Sequence, residues 1–478
     1  MKFLFWIIGI IILLFTFVYI FIFTPMGNKI LLPHIEKQVQ IQTQMPSKLL
    51  KFGLSLRDFE VQLQLNPHNI VHLYGNYSLL RQKFDINYIA DFKELSTLKP
   101  LLKKRLDGRG YFQGNIVGNV SNMKIVGTSK FAYAKSAYSL TLLDLELTSL
   151  QVKSKNLDLA TLLLMFDKKP YLNARVDCDV YFTNIKEHQL NGTLKLITHQ
   201  GSINRTLVKN RFGYKIPKEN SFSLKSTSSF HGDTVASKID FLSDLLNITS
   251  KNTNYNMNEK ILTSDYTLFI PHVDKLFFIK GKKFQGDLSL DGLINYQKYF
   301  DVSMETKIAG GEIKGRLVDT KLHLDALSLD TLDLLDRFSY PKILEASLDA
   351  HLDYDIFTAK GKLHSKLRNG VFSKNKLFKL LKKYSKFNPY KERFSGDLDA
   401  RINRNNFLID MDLFSPNISM ATKKAKLNAQ SKNIDALVNL EIASNEIDIK
   451  LDGDVTKPAM RINVGNLMIN KLLKKYFK

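Results

Sequence analysis

Apolar and polar side chains alternate with a period of two through most of the chain, the spacing that sends successive residues to opposite faces of a strand. In residues 394–416, Leu398, Ala400 and Ile402 alternate with Asp397, Asp399, Arg401 and Asn403. After a short turn, Ile409, Met411 and Leu413 alternate with Asp410 and Asp412. Near the beginning, Phe59, Val61, Leu63 and Leu65 face one way and Glu60, Gln62 and Gln64 the other. The same pattern predicts strands over 111–120, 139–147, 190–197, 260–270, 287–294, 321–329, 347–354 and 436–451. Little helical spacing remains to cover the apolar side of these strands, so the question is what sits against it.

The helical exceptions are short. Residues 26–44 place Ile30, Leu31, Ile35 and Val39 on one helical face, with Pro33 in the first turn or breaking it. Asp158 and Asp330 each open a short apolar helix that a proline ends, and Ala174 or Ala346 then begins the next strand, 16 residues on in both cases. An aspartate suits that position because its carboxylate accepts an orphan backbone N–H at a helix start. Weaker copies begin at Asp91, ahead of Gly108, and at Asp274, ahead of Gly286. Repetition of this kind predicts an extended, quasi-one-dimensional sheet; four unrelated strand–turn–helix units are the plainer alternative. Gly108, Gly110, Gly114, Gly118 and Gly127 permit bulges and curvature. Gly310 and Gly311 read as a strand bulge, since neither the Lys-Ser/Thr nor the helix of a phosphate loop follows. Residues 374–387 set Leu377, Phe378, Leu380, Leu381 and Tyr384 against six lysines, and 467–478 repeat the idea. Such basic amphipathic helices suit a membrane interface, or cap the end of a sheet with their lysines solvated.

The N-terminus changes the picture. Residues 3–23 carry no charge, and their length matches a bilayer-spanning helix. At a few tenths of a kcal/mol per large apolar residue, insertion is favoured by roughly 5 kcal/mol or more. Residues 23–26, Phe-Thr-Pro-Met, offer no small-x-small cleavage site, so an uncleaved anchor is expected. Lys2 and the amino terminus place it N-terminus inside, with the rest of the chain exported. The net charge of +23 calls for an anionic partner, a nucleic acid or a phospholipid surface. The anchor favours lipid, and many aromatics lie on the apolar side of strands instead of forming a stacking platform for bases. Cys178 is the single cysteine, which excludes an intramolecular disulfide and a cysteine zinc site.

Chemistry is absent from the pattern. The ten histidines form no HExxH, no His-x-His and no carboxylate-paired metal spacing; His68 and His72 are four apart, but Asn66 and Pro67 oppose a helix there. There is no Gly-x-Ser-x-Gly elbow or Walker sequence. The aspartates occupy the polar face of alternating strands. No enzyme activity, metal or cofactor is expected.

Several stretches carry a family resemblance: Thr24-Pro25-Met26-Gly27-Asn28 after the apolar run, Leu56-Arg57-Asp58-Phe59-Glu60-Val61, residues 394–400 (FSGDLDA), 413–416 (LFSP) and 451–458 (LDGDVTKP) before a basic terminus. In this order the chain resembles the AsmA-like proteins of Gram-negative envelopes, relatives of TamB and YhdP. The resemblance covers nearly the whole chain as architecture and rests on Gly, Pro and alternation. It implies a repeating β-groove, as also in chorein-type lipid transfer proteins, with an apolar concave face and phospholipid movement between inner and outer membrane.

The expected fold is therefore mostly β: a single N-terminal transmembrane helix, an elongated, curved antiparallel sheet forming a groove, short helices between repeats, and a basic C-terminal helix. Its parts are an anchor (1–24), an amphipathic segment (25–50), the repeating β-groove (51–375), a basic helix (376–393), a C-terminal AsmA-like β segment (394–463) and the terminal helix (464–478). The alternation nominates Val61, Leu63, Leu65, Leu142, Leu322, Leu324, Ile402, Ile409, Met411 and Leu413 as groove lining. A register slip of one would exchange the faces. Lys471, Leu472, Leu473, Lys474, Lys475 and Phe477 are the expected membrane contacts. The implied partners are phospholipids, the inner membrane through the N-terminal helix, and an outer-membrane or envelope protein; nucleic acid is not among them. The implied location is the inner membrane, single-pass, with the bulk of the chain in the periplasm. The chain is shorter than TamB or YhdP, which leaves open whether it spans that space alone. The alternatives are a non-transporting scaffold for outer-membrane protein assembly, and a surface β-solenoid, whose C-terminal barrel pattern this terminus lacks.

Overall fold

The structure is a computed structural model that describes residues 21–464 apart from 187, 277–283, 375–378, 380–381, 383–387 and 443–444. Twenty-six strands form one antiparallel sheet that does not close on itself. The chain divides into two compact units, 1–244 with 256–258 and 245–255 with 259–478. The first holds β1 (Ser47–Leu54), β2 (Asp58–Leu65), β3 (Asn69–Ser78), β4 (Lys83–Phe92), β5 (Gly110–Gly118), β6 (Asn122–Phe131), β7 (Ala134–Leu143), β8 (Glu146–Asp158), β9 (Leu172–Asn184), β10 (Asn191–Ile203), β11 (Ser221–His231) and β12 (Thr234–Ser243). The second holds β13 (Asn247–Asn256), β14 (Ile261–Ile270), β15 (Leu288–Tyr296), β16 (Phe300–Ile308), β17 (Gly311–Val318), β18 (Lys321–Asp330), β19 (Leu344–Asp355), β20 (Lys360–Phe372), β21 (Phe394–Asn403), β22 (Asn406–Phe414), β23 (Ile418–Asn428), β24 (Asn433–Ile442), β25 (Asn445–Asp454) and β26 (Ala459–Val464). Within each unit the ladders join strands that are neighbours in sequence, the meander that short connections favour.

The expected amphipathic segment is helix α1 (Pro25–Thr43), with Pro33 inside it. It lies along β1, the edge strand. Asn28 Nδ2 donates to the Leu54 carbonyl at 3.1 Å, Gln40 Nε2 donates to the Ser47 carbonyl at 2.7 Å, and Glu36 Oε2 accepts from Leu49 N at 3.1 Å. A strand edge that would otherwise offer its backbone to another chain is covered in this way. Among the described residues no helix is long and apolar enough to cross a membrane. The anchor expected over 3–23 lies outside the described residues except for its last three, and the C-terminal helix and most of 374–387 also lie outside.

Among the described residues, α2 (Lys99–Leu102) after a 3₁₀ turn at Leu95–Leu98, α3 (Leu159–Met165) and α4 (Arg205–Phe212) occupy connections at one end of the first unit's strands, and α5 (Thr331–Arg337) joins β18 to β19 in the second. Asp158 Oδ1 accepts from Thr161 N and Asp330 Oδ1 from Asp333 N, each at 2.8 Å, so both aspartates cap as their position in the repeat requires. Replacing Asp330 by Ala is expected to lower stability by about 1 kcal/mol in urea denaturation.

Other readings need correction. Asp91 lies inside β4; the helical turn after it starts past Glu94, because buried Asn69 ties Glu94 down through both its N–H and its carbonyl. Residues 139–147 are two strands with a turn at Asp144-Leu145, and 436–451 likewise divide into β24 and β25. Gly310 sits in the tight turn between β16 and β17 and makes no bulge.

Candidate functional site: the apolar face of the sheet

Side chains paired across an antiparallel ladder share a face, so the register assembles rows that cross many strands. In the first unit one row runs Phe59, Gly75, Ile86, Ile116, Ile125, Leu140, Leu150 and Phe182 from β2 to β9. The next runs Val61, Leu73, Tyr88, Gly114, Gly127, Tyr138, Val152 and Val180. Leu63 and Leu65 follow on the same face of β2, and Leu142 joins it through its pairing with Met123. The opposite face is mainly polar: its matching row is Glu60, Tyr74, Asn87, Asn115, Val126, Ser139, Gln151 and Tyr181, in which Tyr74, Val126 and Tyr181 are exposed.

In the second unit one row runs Met304, Gly315, Leu324, Leu352, Leu363, Ala400, Ile409 and Ala425. Beside it run Val302, Leu317, Leu322, Tyr354, Gly361, Ile402, Phe407 and Leu427. Met411 and Leu413 continue the same face of β22. The register thus brings the nominated residues of each unit onto one face.

Burial divides that face. Leu65 is 4 % exposed, packed with Met45, Leu95, Leu98, Ala132 and Met165 where the short helices close over one end of the strands. Leu413 is 3 % exposed, in a cluster with Phe394, Ile418, Met420, Leu440 and Ile449. Val61, Leu63, Leu142, Leu322, Leu324, Ile402, Ile409 and Met411 are half-buried, as are Ile86, Ile116, Ile125, Leu140 and Leu150 along the long first-unit row. These last five belong to none of the packed clusters. In-sheet neighbours shield two sides of each of these five side chains; Leu63 and Met411, equally half-buried, differ in packing against the edges of the two clusters.

The floor of this face has a feature that single-strand patterning misses. Gly114 and Gly127 occupy adjacent strands between Tyr88 and Tyr138, whose hydroxyls meet at 2.5 Å across them. A Cβ at Gly127 would collide with both phenols, so the glycines are what let the rings lie down. Burial pushes both tyrosine pKa values up, and the two hydroxyls satisfy each other in an apolar setting. In the second unit Tyr266 lies over Gly292, its hydroxyl donating to the Ser303 carbonyl at 3.0 Å, and Tyr354 lies over Gly361. Glycines inside the strands were the available signal, but their tyrosine partners are named only by the register. Cys178 is on this face too, half-buried, with its thiol pKa raised by burial.

A recess of about 690 Å³ lies near Gly114 and Gly127, with Tyr74, Ile89 and Val126 in its lining beside Asn87, Gln113 and Asn115. Histidine–aspartate pairs mark the polar face of the second unit. His351 Nδ1 lies 2.7 Å from Asp325 Oδ1 and His351 Nε2 3.4 Å from Asp353 Oδ2, while His323 also contacts Asp353. Among the described residues no group of three or more His, Cys, Asp or Glu could hold a metal ion.

The hydrogen bond that His351 donates to the Asp325 carboxylate holds its pKa above the usual 6.5, against a smaller opposing effect of burial. Its stabilising contribution is present below pH 6.5 and is lost as pH rises through the raised value. His323 first, then the charges beside it, hold Asp353 below 3.8, so that contribution is present above pH 3.8 and lost on acidification. A proton-detected titration should place the His351 midpoint above 6.5, and Asp325→Asn should bring it down.

Lys471, Leu472, Leu473, Lys474, Lys475 and Phe477 lie outside the described residues. Comparison of the chain with protein-family models, curated proteins and solved structures returns no match.

Proposed function

We propose that this is an anchored envelope protein that receives phospholipid acyl chains along the apolar face of its sheet and supports lipid movement between inner and outer membrane. The observation that carries this reading is the pair of apolar rows crossing successive strands of each unit, outside the packed clusters and half-buried except at Ala400 and Ala425. Each methylene exposed to water costs about 0.8 kcal/mol, so a two-chain lipid leaving a bilayer faces a barrier on the order of 20 kcal/mol. A surface that is apolar across many strands removes much of that cost, and the polar face keeps the sheet soluble. Such a role requires no acid, base or metal.

Adjacent residues provide the test. A photoreactive phenylalanine analogue at Leu140 should cross-link phospholipid in intact cells, detected by mass spectrometry. The same analogue at Ser139, on the opposite face, should not. Cross-links from Leu140 to protein alone would replace lipid carriage with the scaffold reading.

A further inference from the structure

In the first unit the helical connections lie at one end of the strands, and the turns β1–β2, β3–β4, β5–β6 and β7–β8 lie at the other. Tight turns ordinarily carry Gly, Asn, Asp or Ser at their tips. Here they present Leu56, Leu79, Leu80, Val120 and Leu145, with Leu80 99 %, Val120 65 % and Leu145 62 % exposed. Leu145 stands at φ 65° in a two-residue turn after Asp144 at φ 49°, a left-handed conformation that favours Asn-Gly and strains a leucine. Neither solubility nor turn geometry accounts for an aliphatic residue there.

The distribution along the edge is graded. Past β8 the tips of the first unit turn polar: the β11–β12 turn is Gly232-Asp233, and Asp233 lies 2.9 Å from His188 of the β9–β10 turn, whereas in the second unit the β19–β20 turn exposes Ile356 and Phe357. The apolar tips therefore occupy the part of the edge nearest α1. The start of α1 is fixed at this same edge, where Asn28 holds the Leu54 carbonyl, and the uncharged run 3–23 leads directly into it. Arg57 and Arg81, exposed beside the tips, can reach phosphates while leucines sit deeper.

We propose that Leu56, Leu79, Leu80, Val120 and Leu145 enter the interface of the same bilayer that receives residues 3–23. The β1–β8 turns of the first unit then rest in that membrane. This inference depends on the anchoring part of the function proposed above and not on lipid carriage. It also gives the apolar face a mouth: Tyr77, Phe84, Met123 and Leu142 stand just behind the tips, on the same face as the long rows.

The test uses the full chain with Cys178→Ser, reconstituted in phosphatidylcholine–phosphatidylglycerol vesicles. Single cysteines at Leu80, Val120 or Leu145 carry a polarity-sensitive dye, and Asp233→Cys is the control on the same edge. Labels at the three aliphatic tips should emit blue-shifted light that spin-labelled lipid quenches, while the label at position 233 should report water. A chain that floats with the vesicles but shows unquenched tips overturns this inference and leaves the anchor standing. A chain that does not float removes the anchor and this inference together. Blue-shifted tips that lipid cannot quench mean that protein covers them, which also overturns it.

Discussion

Glutamate placed at Ile125 and Leu140 together abolishes recovery of phospholipid with the purified chain, while the protein stays folded. The two side chains are directly paired between β6 and β7, half-buried, and outside the packed clusters. On a face that no protein layer covers, carboxylates can hydrate, so the fold loses little beyond the transfer energy of the two side chains. An acyl chain laid over the same positions would strip that water, and an unpaired buried charge costs at least several kcal/mol, more than a hundredfold in affinity. Lipid extraction and mass spectrometry read the loss, and circular dichroism reads the fold. The control is Val126→Glu with Ser139→Glu, a pair in the same two strands on the polar face, which should retain lipid. Lipid retained by the first variant at the level of the second would end the proposal. The same logic applies at Ile409 and not at Leu413, whose burial makes a charge there a test of folding.

What the sequence discloses here depends on distance along the chain. A period of two fixes which side chains share a face, and one apolar face holds the register against slippage, so Val61 with Leu63 and Ile409 with Met411 could be assigned before any pairing was known. Asp158 and Asp330 were legible because a cap is a contact over three residues. Asp91 misled because the turn beyond it is held by Asn69, 25 residues away from Glu94. The turn at Leu145 was hidden by its own residue type, since a leucine at a tip reads as one more strand position. Tyr88 and Tyr138 are 50 residues apart and meet only because two glycine strands separate them. The difference between Ile409 and Leu413 is equally invisible to a period of two, because it depends on which row packs against another.

That difference sets the second large effect. Phe394→Ala should destabilise the second unit by about 3–5 kcal/mol, the range for removing a ring from a closed core. Phe394 is 1 % exposed, meets Phe372 edge-on at 5.1 Å, and packs with Ile418, Leu440 and Ile449. With two compact units in the chain, urea denaturation need not be a single event. The transition that includes β19–β26 should move to lower urea, while a probe in the first unit, such as a dye on Cys178, keeps its midpoint. Equal movement of both would mean that the units unfold as one, and an unmoved second transition would mean that the cluster is not a core. A Phe394 variant that loses this transition yet still yields lipid cross-links from Leu140 would place lipid binding on the half-buried rows of the first unit, independent of the closed cluster.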